Sequence, residues 1–244
     1  MLAILLATLG MLGPFSIDTY IPAFDAIAQS LHATPAQMQQ TLSAYLFGYA
    51  FMNLFHGALS DGFGRRPVIL CGLTVFTLAS VGCALAQTVG QLVAFRALQG
   101  LSTGAGIVVS RAVVRDVFPL AEAQRVMSQI TILFGVAPAV APLVGGLIVR
   151  HLHWPAVFWF MAGIGVTLWL INWRVLPETL PPEQRQRFRL GPLMHGYRAL
   201  LLDARFMLLA LASGVPFNGL FVYMLAAPSF LGRILHLPPS QFFW

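Results

Sequence analysis

Seven long apolar stretches alternate with short polar breaks, at roughly residues 2–30, 37–60, 67–87, 91–113, 126–150, 155–176 and 206–232. Each approaches or exceeds the roughly 20 apolar residues that a helix needs to cross hydrocarbon. None shows the two-residue alternation of a membrane barrel strand. The pattern therefore predicts an all-α, polytopic helical membrane protein. The first stretch lacks a basic n-region, and Asp18, Thr19 and Tyr20 follow with no small-residue cleavage site. It is expected to be a retained helix, not a signal peptide. The longest polar segment, 177–205, begins PETLPPEQRQRFRLGP and carries four arginines by position 198. Prolines and the lack of a long apolar run mark it as a linker. The expected organisation is a six-helix transmembrane bundle over 1–176, a cytoplasmic basic linker over 177–205, and a seventh helix with the cut-short start of a second half over 206–244.

Composition excludes a soluble fold. Charged residues are 9% of the chain, apolar residues 58%, and mean hydropathy is +0.78, whereas a soluble domain carries roughly 25% charge. The 14 basic residues are all arginine, against 8 acidic ones, for a net charge of +6. These arginines sit at helix ends without stacking aromatics, so they do not mark a nucleic-acid surface; they set topology. With the amino terminus inside, Arg65, Arg66, Arg111, Arg115, Arg125, Arg174, Arg185, Arg187, Arg189, Arg198 and Arg205 fall on the cytoplasmic side. Arg150 and Arg233 fall outside, and Arg96 lies within the fourth span. That bias predicts a cytoplasmic amino terminus. Cys71 and Cys83 share one helix about 18 Å apart, too far for a disulfide. No metal spacing, metalloprotease helix or serine-nucleophile elbow occurs, so no enzyme, cofactor or metal is expected.

A few polar residues interrupt the apolar runs. Asp18 lies near the middle of the first span, where a charge costs at least a few kcal/mol. It reads either as a proton carrier or cation contact in a cavity, or as a helix-end carboxylate near the interface. Arg96 begins RALQGLSTGAG, with Gln99, Gly100, Thr103, Gly104 and Ile107 at helical spacing on its face. It reads as a cavity arginine responding to Asp18, or as an arginine snorkelling to the outer interface. Tyr45, Tyr49, Asn53, His56 and Ser60 form one stripe of the second helix, suited equally to a cavity wall and to helix-packing glue. His56 by itself reads as a satisfied packing histidine.

The loop GALSDGFGRRP, residues 57–67, joins flexible Gly57 and Gly64 to Asp61, Arg65 and Arg66. Arg115 and Asp116 follow in the next loop on the same side. Asp61, Arg65 and Asp116 are predicted to form a charge cluster tying the second helix to the fourth, intact in one conformation and broken in another; the bland alternative is a solvated loop. In the fifth helix, GVAPAVAPLVGG carries Pro138 and Pro142, which are expected to bend it. Gly135, Gly145 and Gly146 there permit close packing.

At these residues the chain resembles the major facilitator superfamily. GALSDGFGRRP is similar to the family's loop motif between helices two and three, RALQG to its fourth-helix motif, and the Pro/Gly run to the antiporter motif of drug exporters. SIDTYIPA, RDVFP and PETLPPEQR together resemble the bicyclomycin/chloramphenicol-resistance (Bcr/CflA) subfamily of bacterial drug:proton antiporters. Position 62 is Gly where that loop motif often has a basic residue. The family has twelve helices, so the resemblance implies a six-helix first half plus about one helix of the second, the chain being truncated after helix seven.

The resemblance implies proton-coupled efflux of drugs or other small amphipathic molecules across the bacterial inner membrane, driven by the proton gradient. Asp18 would carry the proton and Arg96 would be its cationic partner. Tyr20, Tyr45, Tyr49, Asn53 and Gln99 would line the substrate cavity. Gly57, Asp61, Gly64, Arg65, Arg66, Arg115 and Asp116 would form the conformational gate, and Asp61 would dock on the missing carboxyl-terminal half. The expected partners are a small-molecule drug, protons and the lipid bilayer. The alternatives are a transport-inactive fragment and a seven-helix membrane receptor.

Overall fold

A computed structural model describes residues 2–186 and 188–230. Met1, Arg187 and the segment 231–244, including Arg233 and the end of the seventh predicted stretch, lie outside the described residues. Among the described residues there is no strand. The helices are α1 (Leu2–Asp18), α2 (Phe24–Ser30), α3 (Pro35–Phe63), α4 (Arg65–Ala84), α5 (Val89–Val117), α6 (Leu120–His151), α7 (Pro155–Val175), α8 (Leu190–Leu202) and α9 (Ala204–Ser229).

Local chemistry sets several of these boundaries. The first stretch, read as one helix, breaks after Asp18 into a 3-10 turn, Ile21–Ala23, and the short α2. Pro22 cannot donate to the ladder there. The Ser16 and Thr19 hydroxyls bond back to the Leu12 and Phe15 carbonyls, at 2.6 and 2.7 Å. A capping box starts α3: Thr34 Oγ1 accepts from Gln37 N–H, and Gln37 Oε1 accepts from Thr34 N–H. Pro35 occupies its first turn, as Pro155 does in α7.

Among the described residues, five segments are long and apolar enough to cross a membrane: Leu2–Ser30, α4, α5, α6 and α7. At 29 residues α3 is long enough too, but it carries the polar stripe along one face and the glutamines Gln37, Gln39 and Gln40 at its start. In α9 the described apolar run is Ala204–Val215.

The chain forms two compact units, Met1–Phe188 and Arg189–Trp244. The expected linker therefore divides: 177–188 belongs to the first unit, whereas 189–205 belongs to the second and contains the helix α8. In the first unit α3 lies along α5, α4 packs between α5 and α7, and α1 rests on α5 and α6. Its core joins Leu6, Leu9, Phe76, Leu92, Val113, Ile130, Phe158 and Met161. Outward faces stay apolar, for example Ile132, Val136, Val140, Leu143 and Leu147 of α6, as lipid contact requires.

The α3–α5 contact is close because of Gly100. A Cβ there would overlap the Tyr45 carbonyl of α3, and a backbone carbonyl cannot swing aside. Gly100→Ala is expected to force the helices apart and cost about 2 kcal/mol, as overpacking does. A lowered thermal midpoint of the purified protein in detergent checks this, and an unchanged midpoint would refute the contact.

Candidate functional site

Buried polar groups gather around Arg96, whose side chain is fully buried; this removes the snorkelling alternative. Its Cζ lies 4.5 Å from the Tyr20 ring centre and 4.3 Å from that of Tyr45. Desolvated cation–π contacts of this kind contribute about 2 kcal/mol. Nη1 donates to Gln99 Oε1 at 2.6 Å and reaches the Ser16 carbonyl at 3.5 Å. Gln99 Nε2 passes the chain on to Ser80 Oγ at 2.7 Å. Nε and Nη2 of Arg96 have no hydrogen-bond partner; the two rings stand in their place.

Asp18 is buried at the end of α1, and neither carboxyl oxygen has a hydrogen-bond partner. No ion pair joins Asp18 to Arg96 in this conformation. Arg96 touches instead the Ser16 backbone carbonyl and the Tyr20 ring, before and after Asp18 along the chain.

The α3 stripe is brought together only in part. Tyr45 is fully buried, donating to the Gly13 carbonyl at 3.0 Å and to Thr103 Oγ1 at 3.3 Å. Tyr20 shares a 2.6 Å bond with Thr41. Tyr49 and Asn53 are half-buried. Asn53 and His56 press on the α5 backbone at Gly104, where a Cβ would overlap Asn53 Oδ1. His56 is buried, but its Nδ1 has no partner, so it is not the satisfied packing histidine that was expected.

At the other end of α3 the loop charges converge on one guanidinium. Arg65 forms ion pairs with Asp61 and with Asp116, the latter at 2.9 Å, and donates to Ser60 Oγ at 2.7 Å. Gly64, at φ 104°, makes the turn that starts α4. Arg66 donates to the Trp173 carbonyl. Arg115 is exposed and outside the cluster, and Gly57 faces Val108 at ordinary contact distance.

Sequence reasoning missed Glu178 and Thr179. Glu178 Oε1 accepts from the Arg65 N–H at 2.9 Å and the Leu180 N–H at 3.0 Å, capping α4 with a carboxylate where the helix dipole favours one. Thr179 Oγ1 donates to Asp116 Oδ2 at 3.1 Å, and Gln186 N–H donates to the Asp61 carbonyl at 3.0 Å. Gly62, the departure from the loop motif, lies against this strap; a Cβ there would come within 3.1 Å of the Gln186 carbonyl. Glu178→Ala leaves the α4 terminus uncapped and is expected to cost about 1–2 kcal/mol. A thermal midpoint equal to that of the unmodified protein would show that the cap contributes nothing.

On α6, helix continues through Pro138 and Pro142. Of the three glycines, only Gly145 makes a close contact, against the Thr19 carbonyl. Gly135 and Gly146 meet nothing within 4 Å among the described residues. The buried stripe is instead Ala137, Ala141 and Gly145, set against α1 next to Asp18.

Comparison with known proteins agrees with this architecture. The chain is 36% identical over 237 residues to a bicyclomycin resistance protein homolog of Haemophilus influenzae, covering 97% of this chain and 60% of that protein. It is 38% identical over 171 residues to the multidrug resistance protein MdtL of Escherichia coli, covering 70% of this chain and 44% of that one. The chain thus spans about 60% of the length of the Haemophilus relative. Its fold matches a bacterial homolog of the human lysosomal transporter Spinster, solved in an inward-facing, unoccupied conformation, with a TM-score of 0.75 at 18% identity over 99% of this chain and 57% of that one. The family model of the Major Facilitator Superfamily matches residues 6–243, and the chain belongs to that superfamily.

Proposed function

We propose that this chain is the amino-terminal part of a proton-coupled antiporter that exports drugs or other small amphipathic molecules across the bacterial inner membrane. The observation that carries the reading is Asp18, a carboxyl buried at membrane depth with no donor and no paired cation. Such a group is tolerated with a proton bound or with a cation close by, and costs several kcal/mol with neither. A site of that kind alternates naturally between proton and cationic or amphipathic cargo. Relatives named for bicyclomycin and multidrug resistance support the substrate class. Membership in a superfamily of transporters leaves the receptor and enzyme alternatives without support.

In this reading Arg96 is the cationic partner of Asp18 through α1 rather than by contact. It grips Ser16 and Tyr20 on either side of Asp18, so a rotation of α1 that follows proton gain or loss is transmitted to Tyr45 and Gln99. Tyr20, Tyr45, Tyr49, Asn53 and Gln99 line the cargo path once a second half faces them. The Arg65 cluster is the gate on the cytoplasmic side, the amino terminus lies on that side, and residues 1–176 form the six-span half. The arginine-rich gate end agrees with the positive-inside bias.

The test is drug resistance and drug-stimulated proton flux in everted vesicles of an efflux-deficient bacterium. It is run with the chain alone and with the chain joined to the remaining part of the Haemophilus relative. Export by either form, coupled to proton movement, supports the reading. Normal folding of the joined form with no flux of any drug tried would overturn it.

A further inference from the structure

The second unit carries a helix that the transport reading does not use. Residues Leu190–Leu202 form α8, 13 residues long, about 20 Å at 1.5 Å per residue and too short to span hydrocarbon. Leu190, Leu193, Met194 and Leu201 fall within about 100° of its circumference, and Leu190, Met194 and Leu201 are 57%, 45% and 65% exposed. His195 occupies the opposite side and Arg198 flanks the apolar face. The helix contains no acidic residue.

Charge around α8 has one sign. Arg189 precedes it, Arg198 lies on it and Arg205 follows it; none is in an ion pair among the described residues. The nearest carboxylate, Asp203, is occupied: its Oδ1 accepts the Arg205 and Phe206 N–H groups at 2.9 and 3.3 Å, capping α9. Only Asp203 separates α8 from the apolar run Ala204–Val215. Connectivity therefore holds α8 within a turn of the level at which the chain enters apolar surroundings.

We propose that α8 lies in the headgroup plane of the bilayer and binds anionic phospholipid there. Its apolar face sinks among the acyl chains, while Arg189, Arg198 and Arg205 hold phosphate groups. Short amphipathic helices with basic margins insert in this way, and guanidinium matches a phosphate with two parallel donors. The observation that selects lipid is the pairing of an exposed apolar face with arginines in no ion pair among the described residues, next to the apolar run Ala204–Val215. The inference requires membrane insertion of the chain and is independent of what is transported.

The test uses the full chain carrying Cys71→Ala and Cys83→Ala, with an environment-sensitive fluorophore on a single Met194→Cys or His195→Cys substitution. Each form is reconstituted in nanodiscs of phosphatidylcholine, with or without phosphatidylglycerol. The fluorophore at position 194 should be shielded from aqueous iodide, and that at position 195 should not. Phosphatidylglycerol should increase the shielding at 194 by about fivefold, the worth of one arginine near an anionic surface. High salt, or Arg189→Gln with Arg198→Gln and Arg205→Gln, should remove that gain. Equal quenching at 194 and 195 would overturn the interfacial placement. A gain that is absent, or insensitive to salt, or reproduced by inorganic phosphate added to phosphatidylcholine discs, would overturn the anionic-lipid assignment. The salt arm uses unsubstituted arginines, so the proposal stays testable if the triple variant misfolds.

Discussion

Asp18→Asn is expected to abolish drug-coupled proton flux, by at least about 100-fold, while leaving protein level and thermal stability unchanged or slightly raised. The two halves of that expectation have one cause. Both carboxyl oxygens are buried without a hydrogen-bond donor, so the native fold gains nothing from the negative charge. An amide of nearly the same shape occupies the space without any form that is costly to bury. A structural carboxylate behaves oppositely: removing its charge breaks the bonds it makes and lowers stability. What Asn cannot do is bind and release a proton, and no other acidic residue among the described ones is buried at membrane depth. The measurement pairs drug-driven proton release in everted vesicles, using the form joined to the relative's remaining length, with a thermal midpoint. Undiminished flux would remove Asp18 from the proton path. A large fall in midpoint would make it a structural group whose partners lie elsewhere.

Much of this site is written in short-range spacing, and that part was legible. Asp61 and Arg65 stand four apart, one helical turn, and Asp116 sits at the matching end of the next helix to run the same way. The apolar spans of the first unit were legible for a similar reason, since hydrocarbon sets a length that few alternatives satisfy. Features made between distant segments were not. Glu178 binds a backbone N–H, and an N–H leaves no mark in the residue type that carries it. The stacking of Arg96 between Tyr20 and Tyr45 joins α5, the turn after α1, and α3; the polar faces of α3 and α5 could be seen, but not that they meet there. The break after Asp18 was carried by Pro22, and the helix inside 189–205 by the period of Leu190, Leu193, Met194 and Leu201, which an otherwise polar, proline-containing segment obscured.

Arg65→Ala is expected to cost about 3 kcal/mol and to shift the protein away from the conformation described here. The side chain is 8% exposed and lies between Asp61 and Asp116, which are 46% and 22% exposed. Removing the shared cation leaves two carboxylates facing each other, while Glu178 keeps its ion pair with Arg185. Breaking a fully buried pair costs about 3–5 kcal/mol; water around Asp61 brings the expected figure to the lower end. At about 1.4 kcal/mol per factor of ten, that would lower the population of this conformation by two orders of magnitude relative to one in which the cluster is already apart. Arg65→Lys separates charge from geometry. An ammonium on a flexible stem keeps the positive charge but lacks the planar fork that reaches Asp61, Asp116 and Ser60 together, so it should recover about half of the loss. Spin-label distances between α3 and α5 at the gate end read the population, and the thermal midpoint reads the cost. If Arg65→Ala changes neither, the cluster is a solvated surface feature. If Lys restores both fully, charge alone holds the gate and the forked geometry is incidental. The intermediate result, with Ala open and Lys partly closed, is what a single guanidinium bridging two helices requires.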